Sequence, residues 1–286
     1  MSTNTAERVS VAKPEASETI PITAIVVVFN EAGLLPACLE PLMRFDEVIV
    51  VDVASTDDSA EVAKELGAHV IEHPWVPFGE KTLPTVIPKA KHDWIVQVDP
   101  DEVVPARFLE VLRSTAMSAG DDVAGFKIPF RYYFRGRPIK TTRYGRIIHV
   151  PRFFHRKRVA SINTRVHSGL GELLKGMTVP SLEDTADLTV RHYWFESWSA
   201  LLARHRTYLQ HEGEARYTKG QRFTWTGLVK ALVLCARENL LNRRDIRANS
   251  TEWLLAVFIL GYETKAHLAL RAYQRHLDRR HESSKA

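Results

Sequence analysis

Short apolar runs that end in polar residues alternate along this chain with segments whose apolar positions recur every three or four residues. Residues 22–29 read as a strand whose Ile25-Val-Val-Val28 core is apolar on both faces, as a central parallel strand requires. Leu34, Leu35, Cys38, Leu39 and Leu42 then follow at helical spacing. Residues 48–52 form a second strand that closes on Asp52. Ser55-Thr-Asp-Asp58 caps a helix that runs to Leu66 and stops at Gly67. A third strand spans 68–71, and residues 80–91 are weakly helical, interrupted by Pro84 and Pro88. The fourth strand covers 94–98, and a helix over 105–117 lies behind it.

Strand–helix alternation at this rhythm predicts a doubly wound, mostly parallel α/β sheet with right-handed crossovers. Ligands of such sheets bind at the carboxyl ends of the strands. Asp52 and Asp99 end two strands on that edge. The second belongs to Val98-Asp-Pro-Asp-Glu102, where Pro100 cannot donate to a ladder and stops the strand. Three carboxylates within four positions repel one another unless positive charge sits among them. A divalent cation completed by substrate phosphates is one reason to tolerate the cluster. An acidic turn at a helix start is the other. A phosphate-accepting receiver domain shares such edge aspartates, but length and the missing strand-borne lysine exclude it.

After residue 123 the pattern changes. Residues 123–134 and 146–154 read as strands of a mixed extension. Between Arg131 and Ala160 there are ten Lys/Arg and no acid, against a net charge of only +5 for the 286 residues. That run fits anionic partners such as nucleoside diphosphates, or else a solvated basic face. From 195 onward the pattern is helical, with Leu201, Leu202, His205, Tyr208 and Leu209, then 228–241, then 253–277. These amphipathic helices suit core packing, or contact with an anionic membrane surface. The longest apolar run, 253–262, is too short to span a bilayer, and no signal peptide is expected. Cys38 and Cys235 read as buried thiols of a reducing cytoplasm. The other histidines, such as His205 and His211, read as surface residues. Residues 1–20, rich in Ser, Thr, Ala and Glu without periodicity, read as a disordered tail.

Val28-Phe-Asn-Glu31, Val51-Asp-Val-Ala-Ser-Thr-Asp57 and Val98-Asp-Pro-Asp-Glu102, in this order and spacing, resemble the family 2 glycosyltransferases of GT-A fold. The match is similar above all to the bacterial branch that glycosylates lipopolysaccharide core and other envelope glycans. It implies a nucleotide-sugar-binding catalytic domain over 21–175. A helical C-terminal region over 176–286 would face the acceptor or the membrane. It further implies a donor site made of Phe29, Asn30, Glu31, Asp52, Ser55, Lys81 and Asp99. Phe29 would pack on a uracil ring, and Asp52 would accept its ring N–H. Asp99 and Asp101 match the family's D-x-D motif, whose second carboxylate ligates Mg²⁺ or Mn²⁺. Charge grows on the leaving diphosphate as the glycosidic bond breaks, and the cation stabilises it. His167, in Arg165-Val-His-Ser168, falls where this branch has Val-His-Glu and would complete the metal shell. Ser168 replaces the family's glutamate, which leaves Glu102, Glu172 or His167 to deprotonate the acceptor.

The expected activity is metal-dependent, inverting transfer of a sugar from a nucleotide diphosphate donor, a UDP-sugar, to a hydroxyl of an envelope glycan, lipid or small molecule. Catalysis would rest on Asp101, Glu102 and His167, with the protein cytoplasmic or peripheral on the inner face of the membrane. A nucleotidyltransferase is the alternative enzyme, but 29–33 lacks its Gly-rich basic loop. A degenerate sugar-nucleotide or nucleic-acid module is the non-enzymatic one. No nucleic acid is expected, because Tyr132, Tyr133, Phe134 and Tyr144 form no RNA-binding motif.

Overall fold

The computed structural model describes residues 20–162, 170–185, 188–241 and 250–283. The expected tail falls almost wholly outside them, as does His167. In chain order the elements are β1 (Ile20–Val28), α1 (Leu35–Leu42), β2 (Phe45–Asp52), α2 (Ser59–Glu65), β3 (His69–Glu72), α3 (Leu83–Val86), β4 (Trp94–Val98), β5 (Glu102–Val103) and α4 (Ala106–Ser118). There follow β6 (Gly125–Phe134), β7 (Arg137–Pro138), β8 (Ile148–His155), β9 (Val159–Ile162), β10 (Gly171–Leu173) and β11 (Val190–Phe195). Three helices end the described chain: α5 (Trp198–Thr218), α6 (Trp225–Ala236) and α7 (Ser250–Ser283).

The main sheet runs β3-β2-β1-β4-β8-β6-β11-β5, with β7 paired to β6. β1 pairs with β2 and β4 in parallel, and β2 with β3. Alternation along β1 explains why the sheet is covered on both sides. Ile22, Ala24, Val26 and Val28 pack with Leu35, Leu39 and Leu42 of α1 and Phe108, Leu109 and Leu112 of α4. Ile25, one residue out of phase, packs on the other face with Ile49, Val51, Leu83, Val86 and Phe154. Each such aliphatic side chain, fully buried, contributes about 1.5–3 kcal/mol relative to exposure. In-register pairing of Val28 with Asp52 and of Val26 with Val98 brings the ends of β1, β2 and β4 to one edge.

Beyond β4 the sheet turns mixed. β8 pairs antiparallel with β4 and with β6, and β11 returns parallel to β6 and antiparallel to β5. The sheet therefore extends past residue 175, where the resemblance sets the start of the helical region. Val190-Arg-His-Tyr-Trp-Phe195 is a β-branched and aromatic run that needs β6 on one side and β5 on the other to be legible as a strand. The 80–91 segment breaks into three short turns around Pro84 and Pro88. Both cysteines are free and buried.

α5 packs along α7, and α6 packs against α7. Gly213 makes the first crossing close: a Cβ there would sit 2.5 Å from the Ala269 carbonyl oxygen. Arg216 of α5 holds Glu263 of α7 through two contacts, at 2.9 and 3.1 Å. His205, read from sequence as a surface residue, is buried in this seam, edge-on to Phe258 and Tyr262. By length and composition α7 could cross a membrane, which corrects the expectation drawn from its uninterrupted apolar run. That run ends at Glu263, but the apolar positions continue on one face of the helix.

Candidate active site

Two loops at the carboxyl edge are tied together by their own polar side chains. Asn30 and Ala54 both adopt left-handed backbone conformations, with φ of 53° and 55°. The Asn30 side-chain oxygen accepts from the Thr56 N–H at 2.7 Å, and Ser55 Oγ accepts from the Asn30 N–H at 3.0 Å. Asp57 and Ser59 accept from the Ala32 and Glu31 N–H groups. Asn30 and Ser55 therefore shape the edge by fixing backbone. Beside them a cleft of ≈ 580 Å³ opens at the ends of β2 and β3, lined by Asp52, Ser55, Thr56, Asp57, Glu72 and His73. Asp52 is buried in it, and among the described residues long contacts from the Ser55 N–H (3.3–3.4 Å) reach its carboxylate. Phe29 is 44% exposed, so core burial does not explain it.

The acids after β4 sit deeper. Pro100 ends the strand, Glu102 turns back to accept from the Asp99 N–H at 2.9 Å, and its own N–H donates to the Asp99 carbonyl. Asp99 is clamped by both terminal nitrogens of Arg152, from β8. Burial alone would raise the Asp99 pKa, but the charge and hydrogen bonds of Arg152 hold it below the usual carboxylate range. Glu102 is 1% exposed, and burial together with the Asp99 charge pushes its pKa up to about 8. Asp101 lies between two basic side chains, His192 Nε2 at 3.4 Å and Arg204 Nη1 at 3.9 Å. Arg204, from α5, also donates to Glu31 at 2.8 Å. Burial raises the Glu31 pKa against the opposing charge of Arg204.

His192 reaches this cluster from β11 because it pairs with Glu102 on one side and Tyr132 on the other. Its ring stacks on Tyr132, with centroids 4.6 Å apart. Burial opposes protonation, but the hydrogen bond and charge of Asp101 outweigh it, so the imidazole pKa is raised. Its Nδ1 faces Glu102 Oε1 at 3.4 Å without hydrogen-bond geometry, leaving a buried nitrogen with no hydrogen-bond partner.

Asp101, Glu102 and His192 each offer a ligand atom, all within 4.8 Å of one another. Ligands on opposite sides of an octahedral Mg²⁺ lie about 4.2 Å apart, so a small closing movement suffices for a divalent ion. The unpartnered His192 nitrogen and the displaced Glu102 pKa are what a site short of positive charge looks like. Two carboxylates and one imidazole suit Mn²⁺ or Mg²⁺, the imidazole favouring Mn²⁺.

The structure thus brings Glu31, Asp99, Asp101 and Glu102 together, with Phe29, Asn30, Asp52 and Ser55 along the same edge. Lys81 is exposed at the end of a short turn. Glu80, just before it, is the residue that interacts with Asp99 and Arg152. His167 lies outside the described residues. Arg152, His192 and Arg204 were not singled out from sequence, and only the strand-like run around His192 hinted at one of them. The basic stretch is also partly used internally, for Arg152, Arg156, Lys157 and Arg158 pair with Asp99, Asp93 and Asp121.

A parallel sheet edge with an aspartate-lined cleft beside an acid–imidazole cluster is the layout of an α/β protein that binds its ligand at the carboxyl ends of its strands. The chain belongs to glycosyl transferase family 2, which it matches over residues 23–174, more than half its length. An uncharacterized glycosyltransferase of Rickettsia felis is 39% identical over 83 residues, covering 28% of this chain and 29% of that protein. The lipopolysaccharide core biosynthesis glycosyltransferase LpsC of Rhizobium meliloti is 26% identical over 123 residues, 41% of this chain and 44% of LpsC. Less than half of either relative is spanned. Among solved structures, the mannosyltransferase PcManGT of Pyrobaculum calidifontis, in complex with GDP-Man and Mn²⁺, shares the fold. Its TM-score is 0.50 and identity 18%, over 93% of this chain and 76% of that one.

Proposed function

We propose that this glycosyltransferase moves a sugar from a UDP-sugar to a hydroxyl of an envelope glycan or glycolipid, with inversion at the anomeric carbon and Mn²⁺ or Mg²⁺ on the donor diphosphate. The observation that carries this reading is the Asp101–Glu102–His192 cluster, set at the same edge as the Asp52 cleft. Asp101 and His192 would hold the cation, which supplies positive charge to the departing diphosphate. Asp52 would accept the nucleobase N–H at the cleft floor, and exposed Phe29 would cover the ring. Arg204 stands where it can turn from Glu31 and Asp101 toward the donor phosphates. A nucleoside diphosphate is a good leaving group once its charge is neutralised, so one displacement from the opposite face suffices.

Glu102 supports the reading in a different role from the base. Its oxygens face Asp99, Arg152 and His192, and at 1% exposure it meets no acceptor. Its carboxylate would complete the cation's shell beside Asp101 and His192. The envelope acceptor is supported by the likeness to LpsC. Nucleotide release from a panel of UDP-, GDP- and dTDP-sugars, with Mn²⁺ and then with chelator, tests the proposal. Metal-dependent release from UDP-sugars is expected; release that ignores chelator, or prefers another nucleotide, overturns the metal or the donor assignment respectively.

A further inference from the structure

Exposed large apolar side chains are not scattered over this molecule. Among the described residues thirteen stand out, and eight of them belong to α6 and α7: Trp225, Val229, Val233, Leu234, Trp253, Leu254, Val257 and Leu268, each 42–61% exposed. They follow helical spacing. On α6 Trp225, Val229 and Val233 recur every four residues, on a different face from the buried Leu228 and Cys235. On α7 the exposed line runs Trp253, Val257, Gly261, Lys265 and Leu268, opposite the buried Leu255, Ile259, Ala266 and Leu270. Both helices thus bury one apolar stripe and leave a second uncovered. Single exposed apolar residues are ordinary on a soluble protein, but contiguous stripes mark a surface that something covers.

The charges beside these stripes say what. From Arg222 to Arg237 there are three basic residues and no acid. From Trp253 to Leu277 Lys265, Arg271 and Arg275 face a single acid, Glu263, and Arg216 already pairs with it. Trp225 and Trp253 open the two helices, and indole is the side chain suited to the level where apolar and wet layers meet. Between α5 and α7 a groove of ≈ 600 Å³ opens, walled by Leu202, Leu209, Phe258 and Tyr262, with Arg206 and Lys265 also lining it. Gly261 and Lys265 belong both to that groove and to the exposed line of α7. An apolar trough with two cations matches an acyl chain beneath an anionic headgroup.

We infer that α6, α7 and the α5–α7 groove form a face that seats this chain on an anionic lipid bilayer, the helices lying in the interface. A crossing orientation of α7 would break its bidentate pair with Arg216 and uncover the stripe packed on α5. The inference rests on the proposed function only for the reason such seating is useful, namely a lipid-borne acceptor. Arg204 and Arg206 are close neighbours on α5. One pairs with site acids and the other lines the groove.

The test uses the full chain and sedimentation with vesicles containing roughly 30% phosphatidylglycerol, or phosphatidylcholine alone. Binding is read without donor, so its outcome is independent of donor turnover. The wild type should pellet with the anionic vesicles at about 0.05 M salt and be released at about 0.5 M. Val229→Glu/Val257→Glu should lower the partition coefficient by about tenfold or more, because charged groups then face the acyl region. Lys230→Glu/Lys265→Glu should keep the apolar stripes and lose the preference for anionic vesicles. All these positions are exposed or at the groove mouth, and an unchanged thermal midpoint verifies folding. No pelleting by the wild type at low salt, or variants that bind as it does, overturns the inference. So does retention through an alkaline carbonate wash, which marks a crossing helix. A wild-type dimer that Val229→Glu/Val257→Glu turns into a monomer, without vesicle binding, also overturns it and assigns the face to a second copy.

Discussion

At the scale of single residues, Asp101, His192 and Asp52 separate metal from nucleobase contributions. Among the described residues, the Asp101 side chain meets His192 and Arg204 at the sheet edge. Asp101→Ala should therefore lower metal-dependent turnover on the order of 10²–10³-fold while circular dichroism stays unchanged. Full activity in that variant removes the metal assignment. His192→Ala should weaken apparent Mn²⁺ affinity, with excess Mn²⁺ restoring part of the rate. Loss of thermal stability alone, with Mn²⁺ affinity unmoved, would leave His192 as a packing partner of Tyr132. Asp52→Asn should raise the donor KM and leave kcat nearly unchanged, since nucleobase contacts are the same in ground and transition states. An unaltered KM would reduce Asp52 to a loop anchor. The acids of this site were legible in sequence because Pro100 and the strand pattern deliver them to a known edge. The cations were not. His192 lies ninety residues after Glu102, and only the β5–β11 pairing makes them neighbours. Arg204 sits on a helix whose charged positions all look alike until Glu31 selects one.

Elements carry a second set of consequences. Asp93 ties the start of β4 to the end of β8: its carboxylate takes Arg156 Nε at 2.9 Å and Lys157 Nζ at 2.7 Å. The hydrogen bond from Lys157 outweighs the small burial cost, and the folded pKa falls below its usual value. A depressed carboxylate pKa adds stability above the unfolded value of about 3.9 and loses it as pH falls through the folded value. Asp93→Asn should therefore be less stable near neutrality. Its loss of stability below about pH 4 should be shallower than that of the wild type. Parallel acid-unfolding curves would show that this clamp does not stabilise. At the helix pair, Gly213→Val places a side chain against the Ala269 carbonyl and should cost about 1–3 kcal/mol or more. Because α5 carries Arg204, the donor KM should rise as well; a lowered melting point with KM intact would uncouple the helix seam from the site. The parallel half of the sheet, β1 to β4, could be read from its apolar runs, because the central strands β1, β2 and β4 are covered on both faces. β5 and β11 could not, being two and six residues long and defined by partners distant in the chain, and β7 is only a two-residue hairpin return onto β6.

On the scale of the whole molecule, charge and apolar surface are laid out differently. The basic stretch from Arg131 to Arg158 suits anionic partners or a solvated face by sequence, yet four of its ten cations are held by Asp93, Asp99 and Asp121. The apolar surface left open is concentrated instead on α6 and α7, the last helices of the described chain. Catalytic edge and uncovered face are joined through α5. The constellation around Asp101 draws on Glu31, Arg152, His192 and Arg204, two of which follow the point where the family match ends at residue 174. The segment matched by the family thus lacks two residues of the candidate site, His192 and Arg204. Excised at 174, it would keep the Asp52 cleft, lose His192 and bare the β6 edge that β11 now covers. Donor recognition in such a fragment would persist at best as a relic without turnover. Any recombination that swaps this domain for a relative's must carry β11 and α5 along with it.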